Sequence, residues 1–305
     1  MKLGFIGLGR MGTGMALNLR KAGYELVVHD ARKEIAPSHL AAGSTWAESV
    51  AEVARVADVV FTSLPGPKEM QDVAEGLLGS MRKGSVWFDL TTNSPTVVAD
   101  VCKRLAENGI SLLDAPVSGG ASGASTGKLA IYVGGEREVF ERYRKLLDAL
   151  GDEVMYVGVI GAGNSAKLAH NCASFALRVM LAEVFTMGVK AGVEPAALWH
   201  AMRQGSQGRT RTFDGLANKY LVDDYEPASF TVNLAFKDLG LGLELAKQLR
   251  VPMKFIQTAY DEFDEARQRG WGEHDSRKPM KIQNERAGIT IKITPEEVKQ
   301  TLACG

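Results

Sequence analysis

Gly7, Gly9 and Gly12 form a G-x-G-x-x-G pattern directly behind the apolar run Leu3 to Ile6, and Met15, Ala16 and Leu19 follow at helical spacing. A strand, a tight turn and a helix in that order leave little freedom in what the chain folds into. The first glycine permits the turn, the second lets backbone approach a pyrophosphate, and the third lets the helix pack close, while the helix N-terminus favours negative phosphates. Arg10 and Met11 lie within the turn and are expected on the same binding surface. A glycine-rich turn without a ligand is the alternative, and the placement between strand and helix argues against it.

Asp30 follows the second apolar run, Leu26 to His29, about 20 residues beyond the glycines. There an acidic side chain accepts hydrogen bonds from the adenosine ribose hydroxyls, which favours NAD. Arg32 and Lys33 come next, and either cation turned inward would neutralise a 2′-phosphate, so NADP stays open.

Further apolar runs recur between helix-patterned segments: Val59 to Leu64, Val86 to Leu90, Leu112 to Ala115, Ala130 to Val133 and Val154 to Val157. Such alternation predicts an α/β fold, a Rossmann doubly wound parallel sheet with helices on both faces, over residues 1–162. Leu64, Pro65, Thr92, Asn93 and Ser94 follow predicted strands, where parallel sheets collect ligands, and are expected around the nicotinamide. A long helix, Asn164 to Gly192, is expected to join the domains as residues 163–192. An all-helical C-terminal domain, 193–305, then carries helices at Glu194 to Arg203, Thr212 to Tyr220, Asn233 to Leu249 and Ile256 to Arg269, with an irregular tail after Gly270.

At 305 residues, 45% of them hydrophobic, the chain is long enough for two cores. Its 36 basic residues balance 36 acidic ones, so no overall field gathers nucleic acid or anionic membrane. Cys102, Cys172 and Cys304 are too scattered for a disulfide framework or zinc cluster, so no metal is expected and a cytoplasmic location fits. The opening apolar run is too short for a signal peptide. Lys167, His170, Asn171, Arg178 and Glu183 interrupt the one long apolar segment, which argues against a membrane span.

Four separated segments, GLGRMG (7–12), DAPVSGG (114–120), GAGNSAKLAHN (161–171) and FKDLGLGLELA (236–246), together resemble the β-hydroxyacid dehydrogenases, the family that includes 3-hydroxyisobutyrate dehydrogenase. The resemblance implies an NAD(P)-dependent oxidoreductase that moves a hydride between nicotinamide and a small β-hydroxy acid or its semialdehyde. It further implies that Ser118, Gly119 and Gly120 hold the substrate carboxylate. Exposed glycine N–H groups beside a hydroxyl suit that task, although the same residues also suit a plain flexible loop. Lys167 is implied as the general acid/base and Asn171 as its positioning partner. Four residues apart on a helix, they share a face. A helical lysine read without the resemblance is a solvated surface residue, and His170 is a competing acid/base taken here as structural.

Lys237 and Asp238 are implied near the cofactor, with Phe230 lining the substrate cleft. Assembly as a homo-oligomer, dimer or tetramer, is also implied, with Trp199, Phe213 and Phe230 offering apolar surface. Three alternatives remain open. A catalytically silent dinucleotide-binding or assembly module would not need Lys167 and Asn171. An imine reductase-like enzyme usually lacks that lysine, and the chain is short for a phosphogluconate dehydrogenase.

Overall fold

The computed structural model describes residues 1–205, 208–210, 214–250 and 252–303, which fall into two units, Met1–Ala169 and the chain from His170 onward. The first unit runs β1 (Lys2–Ile6), α1 (Gly12–Lys21), β2 (Glu25–His29), α2 (Ala36–Ala41), β3 (Thr45–Trp46), α3 (Val50–Val56), β4 (Val59–Thr62) and α4 (Pro67–Leu78). It continues with β5 (Val86–Asp89), α5 (Pro95–Ala106), β6 (Ser111–Asp114), β7 (Val117–Ser118), α6 (Gly120–Thr126), β8 (Ala130–Gly134), α7 (Arg137–Asp148) and β9 (Glu153–Gly158).

The sheet order is β3-β2-β1-β4-β5-β6-β8-β7, with β9 beside β8. All pairings from β3 through β6 are parallel, while β6 and β7 meet β8 antiparallel. The chain leaves β1 toward one edge and returns to β4 on the other side, so the crevice between the carboxyl ends of β1 and β4 is the topological switch point where ligands collect in such sheets. The predicted Rossmann sheet is therefore present, and its strands explain why they read as unbroken apolar runs. Phe5, Phe61 and Phe88 pack on one face and Val60 and Trp87 on the other, all without exposed surface. Ring centroids 6.2 and 5.4 Å apart stack Phe5 on Phe61 and Phe61 on Phe88.

The helix α8 (Ala162–Lys190) begins in the first unit and continues into the second. The second unit adds α9 (Pro195–Gln204), α10 (Val232–Gln248), α11 (Lys254–Gln268), α12 (Met280–Arg286) and α13 (Pro295–Ala303) around two apolar clusters. Among the described residues no helix is long and apolar enough to cross a membrane.

Three expectations need correction. The helix expected at Thr212 to Tyr220 begins outside the described residues, and its described part is a 3-10 turn, Asp214–Leu216, followed by further turns. Gly215 and Asn218 weaken helix there, and burial of Leu216, Ala217, Tyr220 and Leu221 fixes the path instead. The tail after Gly270 is irregular only in part: α12 and α13 occupy it between stretches of turn and coil, with Met280, Ile282, Ile291 and Ile293 buried. Trp199 cannot offer interface surface, because it has no exposure and lies in the core of the second unit. Phe213 lies outside the described residues, and Phe230 is half-buried and stacked on Phe175.

Candidate active site

The glycine turn divides its tasks between packing and openness. Gly7 has φ +91°, and a Cβ there would lie 2.3 Å from the Ser63 carbonyl oxygen; at Gly12 it would lie 1.9 Å from that of Gly7. Neither position admits a side chain. At Gly9, by contrast, a Cβ would meet only an Arg32 guanidinium nitrogen at 3.8 Å, which leaves that backbone open to a ligand. Helix α1 starts at Gly12 with no side-chain cap and no acidic residue in its first turn, so its N-terminal amides suit a phosphate. These residues fit the pyrophosphate half of a dinucleotide.

Asp30 is nearly buried beside this turn. Its Oδ2 accepts from the Leu8 N–H at 2.7 Å, and its Oδ1 accepts from the Arg32 N–H at 2.9 Å and from Nε at 3.2 Å. Burial pushes its pKa up, but the two backbone N–H groups and the Arg32 side chain outweigh this and hold the carboxyl below its usual range. Arg32 thus neutralises Asp30 in part while its own side chain stays 58% exposed. Lys33 instead pairs with Glu48 on the surface. His39 was not anticipated: fully buried, it approaches Thr13 Oγ1 at 3.4 Å, and burial lowers its pKa.

A row of polar residues closes the neighbouring strands. Thr62, Asp89 and Asp114 are register partners across the carboxyl ends of β4, β5 and β6, and none has exposed surface. Asp89 accepts from Thr62 Oγ1 at 2.7 Å, the Thr91 N–H at 3.2 Å and Asn93 Nδ2 at 3.3 Å, while complete burial pushes its pKa up to about 6. Thr91 Oγ1 in turn accepts from the Leu64 N–H at 3.0 Å. The loops bearing Leu64, Pro65 and Thr92 are thereby joined to each other and to Asp89. Sequence reasoning missed the role of Asp89 and Asp114, although a polar residue closing a short apolar run, as in VVFT, VWFD and SLLD, was the available signal.

Ser118 ends the short strand β7 half-buried, and Gly119 and Gly120 follow exposed with φ +130° and +63°. Helix α6 leads on from them and packs against α1. A Cβ on Gly14 would sit 2.8 Å from the Ala124 backbone, and Asn18 Nδ2 donates to the Ala124 carbonyl at 2.8 Å. The S-G-G segment is therefore braced on the helix that follows the glycine turn.

Lys167 sits in the second turn of α8 and is only 7% exposed, an unusual state for a lysine. His170 is exposed. Asn171, 5% exposed, donates from Nδ2 to Asp238 Oδ2 at 2.6 Å. Lys237 Nζ lies 3.0 Å from Asp238 Oδ1, close enough to pair by charge although not aligned as a hydrogen bond.

A glycine turn open at Gly9, an acidic residue after β2 and a switch-point crevice together make a dinucleotide-binding site of the Rossmann class. A family model for the NAD binding domain of 6-phosphogluconate dehydrogenase matches residues 2–158, and one described as NAD-binding of NADP-dependent 3-hydroxyisobutyrate dehydrogenase matches residues 161–282. The chain is 33% identical to 2-(hydroxymethyl)glutarate dehydrogenase of Eubacterium barkeri, over 95% of this chain and 97% of that one. It is 36% identical to an NAD-dependent L-serine dehydrogenase of Pseudomonas aeruginosa, over 81% of this chain and 85% of the relative. Among solved structures, 3-hydroxyisobutyrate dehydrogenase of Mycobacterium tuberculosis, described with L-serine, superposes with a TM-score of 0.84 at 27% identity, covering 92% of this chain and 98% of that one. The chain belongs to the β-hydroxyacid dehydrogenase family and is an NAD(P)-dependent hydroxyacid dehydrogenase.

Proposed function

We propose that the protein interconverts a 2-substituted 3-hydroxypropanoate and its semialdehyde, with Lys167 as general acid/base and NAD as the preferred coenzyme. The observation that carries this reading is the burial of Lys167 at 7% exposure, four residues before the equally sequestered Asn171, while His170 between them faces solvent. The compounds named for the relatives, 2-(hydroxymethyl)glutarate, 3-hydroxyisobutyrate and L-serine, share one pattern: a primary alcohol one carbon removed from the carbon that bears the carboxylate.

A nicotinamide dinucleotide held by the Gly7–Gly12 turn and Asp30 would supply hydride transfer. Ser118 and the backbone N–H groups of Gly119 and Gly120 hold the substrate carboxylate by charge-assisted hydrogen bonds. Lys167 takes the hydroxyl proton during oxidation and gives it back to the developing alkoxide during reduction. Asn171, its amide held by Asp238, orients the reacting hydroxyl. Asp30, kept ionised by two backbone N–H groups, favours ribose hydroxyls over a 2′-phosphate. A second reading, NADP preference, is favoured by the exposed Arg32 guanidinium beside Gly9.

The test is a screen of short hydroxy acids and their semialdehydes with both coenzymes, followed by the absorbance of the reduced nicotinamide. Turnover of 3-hydroxyisobutyrate, L-serine or a related acid, faster with NAD, is the expected result. Absence of turnover with every such acid would sink the proposal.

A further inference from the structure

The first turn of α8 is held by a buried residue that the proposed chemistry does not use. Asn164 has no exposed surface. Its backbone N–H donates to Asp114 Oδ2 at 2.7 Å, and its Nδ2 lies 3.3 Å from the same oxygen. Its Oδ1 accepts from the Asn93 N–H at 2.6 Å, across 71 residues of sequence. Asp114 Oδ1 meanwhile accepts from the Gly161 N–H at 2.7 Å, so one carboxylate at the end of β6 caps the start of α8. Gly163 lets the helix come this close: a Cβ there would lie 2.3 Å from the Tyr132 carbonyl oxygen and 2.6 Å from that of Asp114. Asn93 continues the chain of bonds to Asp89.

We propose that Asn164 is a positioning residue that ties the loop after β5, which carries Thr92, to the helical turn that carries Lys167. The inference rests on the function proposed above. Lys167 follows Asn164 by three residues, so the two occupy adjacent turns on neighbouring flanks of α8. Thr92 immediately precedes Asn93, whose N–H Asn164 binds. One side chain therefore sets the spacing between the loop expected to line the nicotinamide and the group expected to move the proton. A buried amide suits this task. It donates on one side and accepts on the other, carries no charge into an environment that already holds two carboxylates, and leaves neither Asp114 nor the Asn93 N–H unsatisfied.

The experiment uses Asn164→Ala, with Asn164→Ser as a milder deletion and Asn164→Gln as the variant that keeps the amide. Folding is checked by circular dichroism, NAD affinity by fluorescence, turnover by steady-state kinetics and the Asn93 amide by hydrogen exchange. The Ala and Ser variants are expected to retain most NAD affinity, to lose kcat by up to about 100-fold with a smaller change in KM, and to exchange the Asn93 amide faster. Asn164→Gln should recover part of kcat. Full kcat in a folded Ala or Ser variant, a loss of NAD affinity as large as the loss of kcat, or unchanged Asn93 protection would each overturn the assignment. If the wild-type chain turns over no hydroxy acid, the functional reading fails. The tie itself is then judged on Asn93 exchange and on the rate at which a small acylating reagent modifies Lys167, and no change in either would overturn it.

Discussion

Lys167 and His170 are three residues apart on one helix yet meet opposite environments, the first buried and the second exposed. Lys167→Ala should therefore lower kcat by about 10²–10⁴-fold while leaving NAD affinity intact, since the glycine turn and Asp30 bind the coenzyme separately. His170→Ala should be nearly silent; steady-state kinetics on both folded variants would reverse the assignment if the losses were exchanged. Asp30→Asn should lower the kcat/KM preference for NAD over NADP by about tenfold, because it removes the charge that repels a 2′-phosphate. Asp89 gives a prediction in pH. Its folded pKa, about 6, lies above the ordinary 3.8, so between those values the folded chain binds more protons at this carboxyl than the unfolded one. The contribution of this group to stability rises as pH falls through that window and is lost as pH rises through about 6. Urea midpoints recorded across the window should show that component in the wild type and lack it in Asp89→Asn.

At the scale of the element, α8 depends on close approach at its first turn. In Gly163→Ala the new Cβ would press on backbone carbonyls rather than on movable side chains, so a destabilisation of about 1–3 kcal/mol or more is expected, read as a lower melting temperature. What could be seen in the sequence follows from how local each cause was. The glycine turn and the longer strands were legible, because a turn is made by neighbouring residues and a strand buried on both faces reads as one apolar run, whereas the two-residue strands β3 and β7 leave no run to read. Helix α12 was not, since seven residues burying Met280, Ile282 and Asn284 show no helical period. The start of α13, by contrast, carries a local signal. Thr294 and Glu297 form a reciprocal cap, with Glu297 Oε2 accepting from the Thr294 N–H at 2.7 Å and Thr294 Oγ1 accepting from the Glu297 N–H at 3.3 Å. The pairings within the polar row were illegible for the opposite reason, although the polar residues that close the apolar runs stood in the sequence. Thr62 to Asp89, Asp114 to Asn164 and Asn93 to Asn164 span 27, 50 and 71 residues, and no periodicity reports such pairings.

For the whole molecule, a homo-oligomer is expected from the family resemblance. With Trp199 sealed in a core, the large apolar side chains left exposed among the described residues of the second unit are Met180, Val193, Leu249, Phe255 and Leu302, with Leu249 and Phe255 64% and 87% exposed. Sedimentation at micromolar concentration should show a dimer or tetramer, and a monomer throughout would remove this expectation. The carboxylate of Asp114 has a consequence of another kind. The S-G-G segment begins four residues after it, and the turn carrying Lys167 begins where its two oxygens end their hydrogen bonds. The proposed anion holder and the proposed proton carrier are thus surveyed from one benchmark. On that proposal, exchanging side chains elsewhere to suit a longer or more polar acid should leave the interval between the two unaltered.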